Sequence, residues 1–330
     1  MVTVIGATNI DIIAATSSAF VAHDSNPSHI TMGIGGVGKN YAHNLVLLGE
    51  SIQFISLFGD DYFGEVARKE CKRLGFGLHL SHTPKGSRSS MFLCINNTLG
   101  QMQAGAADVE IIEQYLTPEF LDARKEDINN SQLVLFDANL PVATMVWLLE
   151  NCTAPMMADT VSRKKASRIT EALKQAHNPH LHTLKLNRIE AQYILGEEAG
   201  KDFPALCKQI HELGVSNIYI TLGAEGVFCS GTPFQLELVQ PTQVSYPPIP
   251  PKQVVDTNGA GDAFLSGVAY AFLQGVDFPI TAKYGLQASR ATIEVPSVVN
   301  PNLKEELGTL YNPTKIITTT DNEQIPITIA

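Results

Sequence analysis

Paired cysteines are missing from this sequence of 330 residues. Its five cysteines are widely spaced and odd in number, and no two of them form a C-x-x-C pair. This pattern argues against a disulfide framework or a zinc ribbon and favours reduced thiols. The sequence also lacks an early basic segment followed by an apolar run, the pattern typical of a signal peptide. We therefore expect a cytoplasmic protein.

Positive charge and long apolar runs are also scarce. Lysine and arginine number 23 against 33 aspartates and glutamates, which gives a net charge of −10 and argues against a nucleic acid polymer as partner. Residues 263–276 are the longest nearly apolar stretch, shorter than the roughly 20 residues that span a membrane. The sequence is 44% hydrophobic and 17% charged, a balance typical of a folded chain with a large core.

Strand and helix patterns alternate along most of the chain. Short apolar runs predict strands, and apolar positions spaced three or four residues apart predict helices. This alternation indicates βαβ units, and therefore an α/β fold with a mostly parallel sheet that helices cover on both faces. The predicted strands are residues 2–6, 51–57, 91–95, 132–136, 155–158 and 217–222. The predicted helices are residues 60–74, 142–150, 162–176, 188–195, 203–213 and 263–274.

Several segments interrupt the alternation. Residues 12–32 and 88–104 have no clear helical pattern, and we predict that they form extra strands of a small lid at the sheet edge. Residues 226–253 are also strand-like. Residues 313–330 are rich in threonine and isoleucine without helical periodicity, which predicts a loosely ordered tail. The sequence thus predicts one α/β domain over residues 1–312 with an appended lid.

A first glycine motif, G-I-G-G-V-G-K-N, occupies residues 33–40. Three of its glycines match the dinucleotide-binding pattern G-x-G-x-x-G, and it also matches a P-loop in which Asn40 replaces the required serine or threonine. A glycine-rich turn or a loop for another ligand fits the same residues. The dinucleotide pattern belongs after the first strand of its unit, whereas the better strand at residues 2–6 precedes this motif by a long polar stretch.

A second motif, D-T-N-G-A-G-D, occupies residues 256–262 and directly precedes a predicted apolar helix. Its G-A-G segment allows a tight turn whose N–H groups, with the positive end of the helix, form an anion hole suited to a phosphoryl group. Asp262 stands where a general base could accept the proton of a substrate hydroxyl. The alternative is structural, with Asp262 as a helix N-cap and Asp256 as a turn residue. The acids on both sides of G-A-G favour catalysis.

A third motif, T-L-G-A-E-G, occupies residues 221–226 at the end of a predicted strand. Ligands of open α/β sheets bind at the carboxyl ends of the strands, which is compatible with a nucleotide contact. Taken alone, however, the motif is more typical of a hairpin turn.

In this order the motifs resemble the ribokinase-like (PfkB) family of small-molecule kinases, over roughly residues 2–310. N-I-D at residues 9–11 resembles the substrate-hydroxyl clamp of that family, and G-G-x-G-x-N at residues 35–40 resembles its N-terminal signature. N-x-x-E at residues 187–190 resembles the element that orders Mg²⁺ and phosphate through water. The resemblance implies a ribokinase-like three-layer α/β sandwich with a mostly parallel central sheet and a small β lid.

The resemblance also implies a role for each motif residue. It assigns catalysis to Asp262 as the base and to the anion hole formed by Gly259, Ala260 and Gly261. Substrate binding falls to Asn9, Asp11, Gly35, Gly36, Asn40 and Asn139. Nucleotide binding falls to Asn187, Thr221, Gly223, Gly226 and Asn258. Glu190 would hold Mg²⁺ through water, and a K⁺-like monovalent cation would lie beside Asp256 and the loop after Ile293.

Within the family the chain most resembles the subgroup of pseudouridine kinases. The similar stretches are D-S-N-P at residues 24–27, G-G-V-G-K-N at 35–40, D-A-N at 137–139, D-T-V-S at 159–162 and H-T-L-K-L-N at 182–187. Ser28 replaces a glycine of the subgroup pattern, Lys39 replaces an arginine, and Thr160 and Leu186 stand where prolines are usual. Residues 101–108 match the subgroup poorly.

The implied activity is ATP-dependent phosphorylation of the 5′-hydroxyl of pseudouridine, with Mg²⁺. The expected partners are a small-molecule nucleoside and ATP, and not a nucleic acid polymer or a membrane. The sequence leaves open whether the chain forms a homodimer. Three alternatives also stay open: a kinase for another nucleoside or a sugar such as ribose, a non-catalytic nucleoside-binding protein, and an oxidoreductase that binds NAD through residues 33–38.

Overall fold

The computed structural model describes residues 1–195, 202–232 and 241–308. The predicted tail at residues 313–330 lies outside these ranges. Within them, no helix is both long enough and apolar enough to cross a membrane.

Strands and helices alternate along the described chain. In chain order the strands are β1 (Val2–Ile5), β2 (Asn9–Thr16), β3 (Ser28–Gly35), β4 (Ile52–Ile55), β5 (Met91–Asn96), β6 (Met102–Asp108), β7 (Leu133–Asp137), β8 (Met156–Asp159), β9 (Leu181–Asn187), β10 (Val215–Thr221), β11 (Val227–Gly231) and β12 (Thr242–Tyr246). The helices are α1 (Val37–Leu48), α2 (Tyr62–Arg73), α3 (Glu110–Tyr115), α4 (Pro118–Asp122), α5 (Lys125–Asn129), α6 (Val142–Asn151), α7 (Arg163–Gln175), α8 (Arg188–Tyr193), α9 (Phe203–Glu212), α10 (Ala260–Leu273), α11 (Thr281–Ile293) and α12 (Leu303–Gly308).

The large sheet has the strand order β12-β11-β10-β9-β8-β7-β1-β4. The strands from β10 to β4 are parallel to one another, and β11 and β12 extend one edge in antiparallel pairing. This arrangement confirms the predicted α/β fold with a mostly parallel sheet. All carboxyl ends of the parallel strands lie at one edge, where ligands of open α/β sheets bind.

Two layers of helices cover the large sheet. One apolar cluster packs α6, α7, α8 and α9 against one face, and a second packs α1, α10, α11 and α12 against the other. The strands alternate between the two clusters, because successive side chains point to opposite faces. In β8, for example, Met156 and Ala158 belong to the first cluster and Met157 to the second.

The small sheet has the strand order β3-β2-β5-β6. Strands β2 and β5 are parallel, and the two outer pairs are antiparallel. The segments predicted as a lid, residues 12–32 and 88–104, contribute to all four strands, but β2 begins earlier, at Asn9, and β6 extends to Asp108. The strand register places Asn9 opposite Gly35 and Asp11 opposite Gly33.

Helix α11 has no counterpart among the predicted helices. Its buried face consists largely of alanine, glycine, threonine and glutamine, which do not form a stripe of large apolar side chains. The small residues allow α10 to approach closely: a Cβ on Gly285 would lie 2.8 Å from the ring of Phe264. The packing of α10, and not the sequence pattern of α11 itself, therefore explains this helix.

Candidate active site

The first and second glycine motifs meet where α1 and α10 begin. Asn40 lies in the first turn of α1, and Asp262 lies in the first turn of α10, 222 residues later in the chain. The side-chain amide of Asn40 donates a hydrogen bond of 2.8 Å from Nδ2 to Asp262 Oδ2. The two motifs therefore belong to one site.

The glycines of the first motif allow close backbone packing. A Cβ on Gly35 would lie 1.8 Å from Asp11 Oδ2, so this glycine leaves space for the carboxylate. Gly36 is the N-cap of α1 with a φ of 104°, and a Cβ there would lie 2.3 Å from the Ala7 carbonyl oxygen. The preceding strand, β3, belongs to the small sheet and not to the large parallel one. This is not the setting of a dinucleotide-binding motif, which follows a strand of a parallel sheet.

Two buried side-chain oxygens of the site have no donor. Asn9 Oδ1 and Asn40 Oδ1 accept no hydrogen bond within the described residues. Buried polar atoms are nearly always hydrogen-bonded, and both oxygens could accept from the hydroxyl or N–H donors of a ligand. Burial raises the pKa of Asp11 to about 6, and the Lys39 ammonium partly opposes this effect. Burial in turn lowers the pKa of Lys39.

Asn139 lies just after β7, at the same edge of the large sheet. Its backbone N–H donates to Asp137 Oδ1 at 2.7 Å, and Lys165 Nζ at the start of α7 donates to Asn139 Oδ1. Burial raises the pKa of Asp137 to about 6, and Asp137 Oδ2 has no hydrogen-bond partner within the described ranges. The contact with Lys165 could not be foreseen from the D-A-N motif alone.

The G-A-G segment is the first turn of α10 and not a loop before it. Gly259 is the N-cap with a φ of 77°, and the helix begins at Ala260, three residues earlier than predicted. The alternative interpretation of Asp262 as the N-cap is therefore wrong. Before the helix, the Asn258 N–H donates to Asp256 Oδ1 at 2.9 Å. The first turn of a helix leaves its N–H groups without intrahelical partners, which suits the segment to bind an anion.

Asp262 has an electrostatic environment suited to a general base. Burial raises the pKa of its carboxyl group from 3.8 to about 7. The hydrogen bond from Asn40 and the nearby Lys185 oppose the increase, whereas Asp159 and Asp137 add to it. A base with a pKa near neutrality can accept a proton and release it again efficiently.

Asn187 and Glu190 form a capping box at the start of α8. Asn187 Oδ1 accepts the N–H groups of Ile189 and Glu190 at 2.9 Å, and Glu190 Oε2 accepts the Asn187 N–H at 2.8 Å. Thr160 Oγ1 also donates to Glu190 Oε2, at 2.7 Å. The N-x-x-E spacing thus has a structural explanation. None of these bonds uses Glu190 Oε1.

The environment of Glu190 fits a water-mediated cation. Burial raises the pKa of its carboxyl group, and Asp159 adds to this effect. Mg²⁺ usually keeps several waters and binds through one or two carboxylates together with substrate phosphates. Glu190 Oε1 is a carboxylate oxygen that the capping box leaves available for such a contact through water.

In the third motif, one glycine is closely packed and another faces unoccupied space. Thr221 ends β10 in register with Asn187 on β9. A Cβ on Gly226, whose φ is 94°, would lie 2.0 Å from the Tyr246 carbonyl oxygen, so the neighbouring hairpin strand fixes this glycine. By contrast, nothing described lies within 4 Å of a Cβ on Gly223. The motif is therefore a hairpin turn, and Gly223 leaves room for a ligand.

Asp256 lies beside the end of α11. The N–H groups of Val255 and Asp256 donate to the Ile293 carbonyl oxygen at 2.8 and 3.3 Å. This contact brings together the two segments that the resemblance assigns to a monovalent cation.

A buried ion pair of the site had no role in the sequence analysis. Lys185 Nζ donates to Asp159 Oδ2 at 2.9 Å, and both side chains are almost fully buried. Asp159 ends an otherwise apolar strand, and Lys185 lies between two leucines of β9. A charged residue at such a position is the signal that could have identified the pair.

Comparisons with known proteins agree with this fold. A model of the family described as "pfkB family carbohydrate kinase" matches residues 1–305. The sugar kinase YeiI of Escherichia coli, itself uncharacterised, is 30% identical over 309 residues, covering 92% of this chain and 81% of the relative. The pseudouridine kinase of Escherichia coli is 27% identical over 305 residues, covering 92% and 93%.

Solved structures show the same architecture. A carbohydrate kinase from Agrobacterium tumefaciens superposes with a TM-score of 0.76 at 27% identity, covering 93% of this chain and 95% of the other. A ribokinase from Arabidopsis thaliana, solved with ribose and ATP, also gives a TM-score of 0.76, at 18% identity and coverages of 94% and 97%. These similarities confirm the ribokinase-like fold.

The fold and the family match define a phosphotransferase that acts on a hydroxyl group. The chain belongs to the PfkB family of carbohydrate kinases. It is a carbohydrate or nucleoside kinase of that family.

Proposed function

We propose that this kinase transfers the γ-phosphoryl group of ATP to the 5′-hydroxyl of pseudouridine. The observation that carries the proposal is the hydrogen bond from Asn40 to Asp262. The bond joins the expected base, in the first turn of α10, to a residue expected to bind the acceptor, which supports a role for both in one reaction. The pseudouridine kinase relative and the resemblance in residues 24–40, 137–139 and 182–187 support the choice of acceptor.

The acceptor would bind between the small sheet and the carboxyl ends of the large one. Its ribose hydroxyls would donate to the buried oxygens of Asn9 and Asn40 and contact Asp11 and Asn139. Asp262 accepts the proton of the 5′-hydroxyl while that oxygen forms a bond to the γ-phosphorus. The bond from phosphorus to the bridging oxygen breaks, and ADP leaves. The backbone of residues 259–261 stabilises the charge that develops on the transferred group.

The remaining site residues suit the nucleotide and its cations. Thr221, Gly223, Gly226, Asn187 and Asn258 would contact ATP. Mg²⁺, held through water by Glu190, would neutralise phosphate charge. A monovalent cation beside Asp256 would stiffen the anion hole.

The small sheet would act as the lid of this site. A kinase must exclude water from the transferred phosphoryl group, because hydrolysis of ATP is the competing reaction. The segments assigned to the lid, residues 12–32 and 88–104, contribute to β2 and to the strands β3 and β5 that pair with it, and β2 begins with Asn9 and Asp11.

We expect pseudouridine to be the best acceptor in a phosphoryl-transfer assay with ATP, Mg²⁺ and K⁺. The panel contains pseudouridine, uridine, cytidine, adenosine and ribose, with kcat/KM as the measured quantity. A preference for pseudouridine of at least tenfold, or about 1.4 kcal/mol, would support the proposal. A higher kcat/KM for ribose or another nucleoside would show that the proposed acceptor is wrong while the family assignment stands.

Replacing Asn40 with alanine should change the pH dependence of turnover. The lost hydrogen bond holds the pKa of Asp262 down, so its pKa should rise above about 7. The base must be ionised, and the acidic limb of the kcat profile should therefore move to higher pH. We expect kcat to fall several-fold at pH 7 and to recover partly by pH 9. An unchanged limb between pH 5.5 and 9 would contradict the assigned contact.

A further inference from the structure

A buried lysine lies beneath the proposed anion hole. Lys185 on β9 is 5% exposed, and its Nζ donates to Asp159 Oδ2 at 2.9 Å. Asp159 ends the neighbouring strand β8 and is 1% exposed. Burying two charges is costly even when they pair. A purely structural role could have been filled by two apolar side chains.

The Lys185 ammonium lies against the first turn of α10. A Cβ on Gly261 would lie 2.7 Å from Lys185 Nζ and 3.5 Å from its Cε. The glycine of the G-A-G segment therefore leaves the space that the ammonium occupies. Burial lowers the pKa of Lys185, but Asp159 and Glu190 more than offset this effect, and the pKa is raised. The side chain is consequently a cation at neutral pH.

A strained turn fixes the partner of this lysine. Val161 has a φ of 62°, a conformation that β-branched residues rarely adopt. Its N–H donates to Asp159 Oδ1 at 2.8 Å, and the Ser162 N–H closes the turn on the Thr160 carbonyl at 2.7 Å. One carboxylate oxygen of Asp159 is thus held by the backbone, and the other holds Lys185. The ion pair has a defined position instead of a mobile one.

We propose that Lys185 takes part in phosphoryl transfer, by placing a fixed positive charge beneath residues 259–261 that stabilises the γ-phosphoryl group of ATP. The inference rests on the proposed function. A fixed charge acts strongly in a site from which water is excluded. Since ADP lacks the γ-phosphoryl group, Lys185 should strengthen the binding of ATP much more than that of ADP.

The test needs a variant that leaves no unpaired charge in the core. Lys185→Met alone would leave the Asp159 carboxylate buried without its partner, and the protein could unfold. The test therefore compares the double variant Asp159→Asn/Lys185→Met, which removes both charges, with Asp159→Asn, in which the ammonium keeps the nearby carboxylates of Glu190 and Asp262. Lys208→Met on the exposed side of α9 is the matched control. Thermal unfolding confirms that each variant is folded.

Calorimetry with Mg²⁺ then gives the affinity of each protein for ADP and for β,γ-methylene-ATP. We expect the double variant to lose about tenfold in analogue affinity relative to Asp159→Asn, with ADP affinity changed less than threefold. Its kcat should fall about 10²-fold, the effect of removing one group that stabilises a transition-state charge. Lys208→Met should match wild type in all three quantities.

Other outcomes would overturn the inference. If the double variant and Asp159→Asn lost affinity for ADP and the analogue equally, Lys185 would have a structural role only. If wild type bound neither nucleotide, the proposed function would be wrong and this inference with it. If wild type bound both nucleotides and the double variant bound them with the same affinities, the inference about Lys185 would be refuted and the proposed function would stand.

Discussion

Asp262→Asn should lose nearly all phosphoryl transfer while the protein stays folded. Asparagine keeps the shape of the side chain and can still meet Asn40, but it cannot accept the proton of the acceptor hydroxyl. General-base catalysis contributes about 10²–10⁴-fold, and we expect kcat to fall by at least that much. Steady-state kinetics on the best acceptor, with circular dichroism as the test of folding, measures the effect.

Asp127 on α5 is exposed, and Asp127→Asn is the matched control for this variant. We expect its kcat to equal that of wild type. A folded Asp262→Asn protein with kcat within a few-fold of wild type would remove Asp262 from the role of base.

The same substitution should stabilise the protein at alkaline pH. The pKa of Asp262 is raised from 3.8 to about 7 in the folded state, so between these values the folded protein binds more protons than the unfolded one. Stability contributed by the neutral carboxyl is thus present at low pH and is lost as the pH rises towards 7. Asparagine does not ionise, so the variant does not lose stability in this way as the pH rises. The melting temperature of Asp262→Asn relative to wild type should therefore increase from pH 5 to pH 8.

Gly259→Ala should damage both the fold and the site. Gly259 has a φ of 77°, and a Cβ there would lie 2.1 Å from the Val298 carbonyl oxygen, a backbone atom that cannot easily move. The left-handed conformation alone costs about 1–3 kcal/mol for a residue with a side chain, and the clash adds to this. Because Gly259 caps α10, relief of the clash should displace the anion-binding turn. We expect a lower free energy of unfolding and a kcat reduced at least 10²-fold.

A second glycine, Gly275, lies just beyond the C-terminal end of α10. Substitution there measures the effect of backbone strain without the clash. The φ of Gly275 is 76°, yet no described atom lies within 4 Å of a Cβ at this position. Gly275→Ala should therefore cost only the strain of this conformation, about 1–3 kcal/mol, and leave kcat unchanged. Urea unfolding and steady-state kinetics on both variants test the comparison. Equal effects on kcat would show that the position of Gly259 in the site does not matter.

Local sequence patterns were sufficient to predict most of the architecture. Apolar runs such as those of β1 and β7 and the periodicity of α2, α6, α7 and α9 led to the parallel sheet with helices on both faces. Helix α11 has no counterpart among the predicted helices because its buried face consists largely of small and polar residues, which do not stand out in the sequence as an apolar stripe. The start of α10 was placed three residues too late, because glycine is a poor helix former and G-A-G resembles a loop.

The sequence by itself also determined the order of the motifs, and with it the resemblance to the PfkB family. Only the tertiary structure decided how those motifs combine. The Asn40–Asp262 contact joins residues 222 positions apart, and the space between Gly261 and Lys185 depends on the packing of α10 against β9. The pKa of Asp262 likewise follows from burial and from neighbours on other strands. Motifs depend on residue types at short spacing, whereas contacts and electrostatics depend on which distant segments the fold brings together.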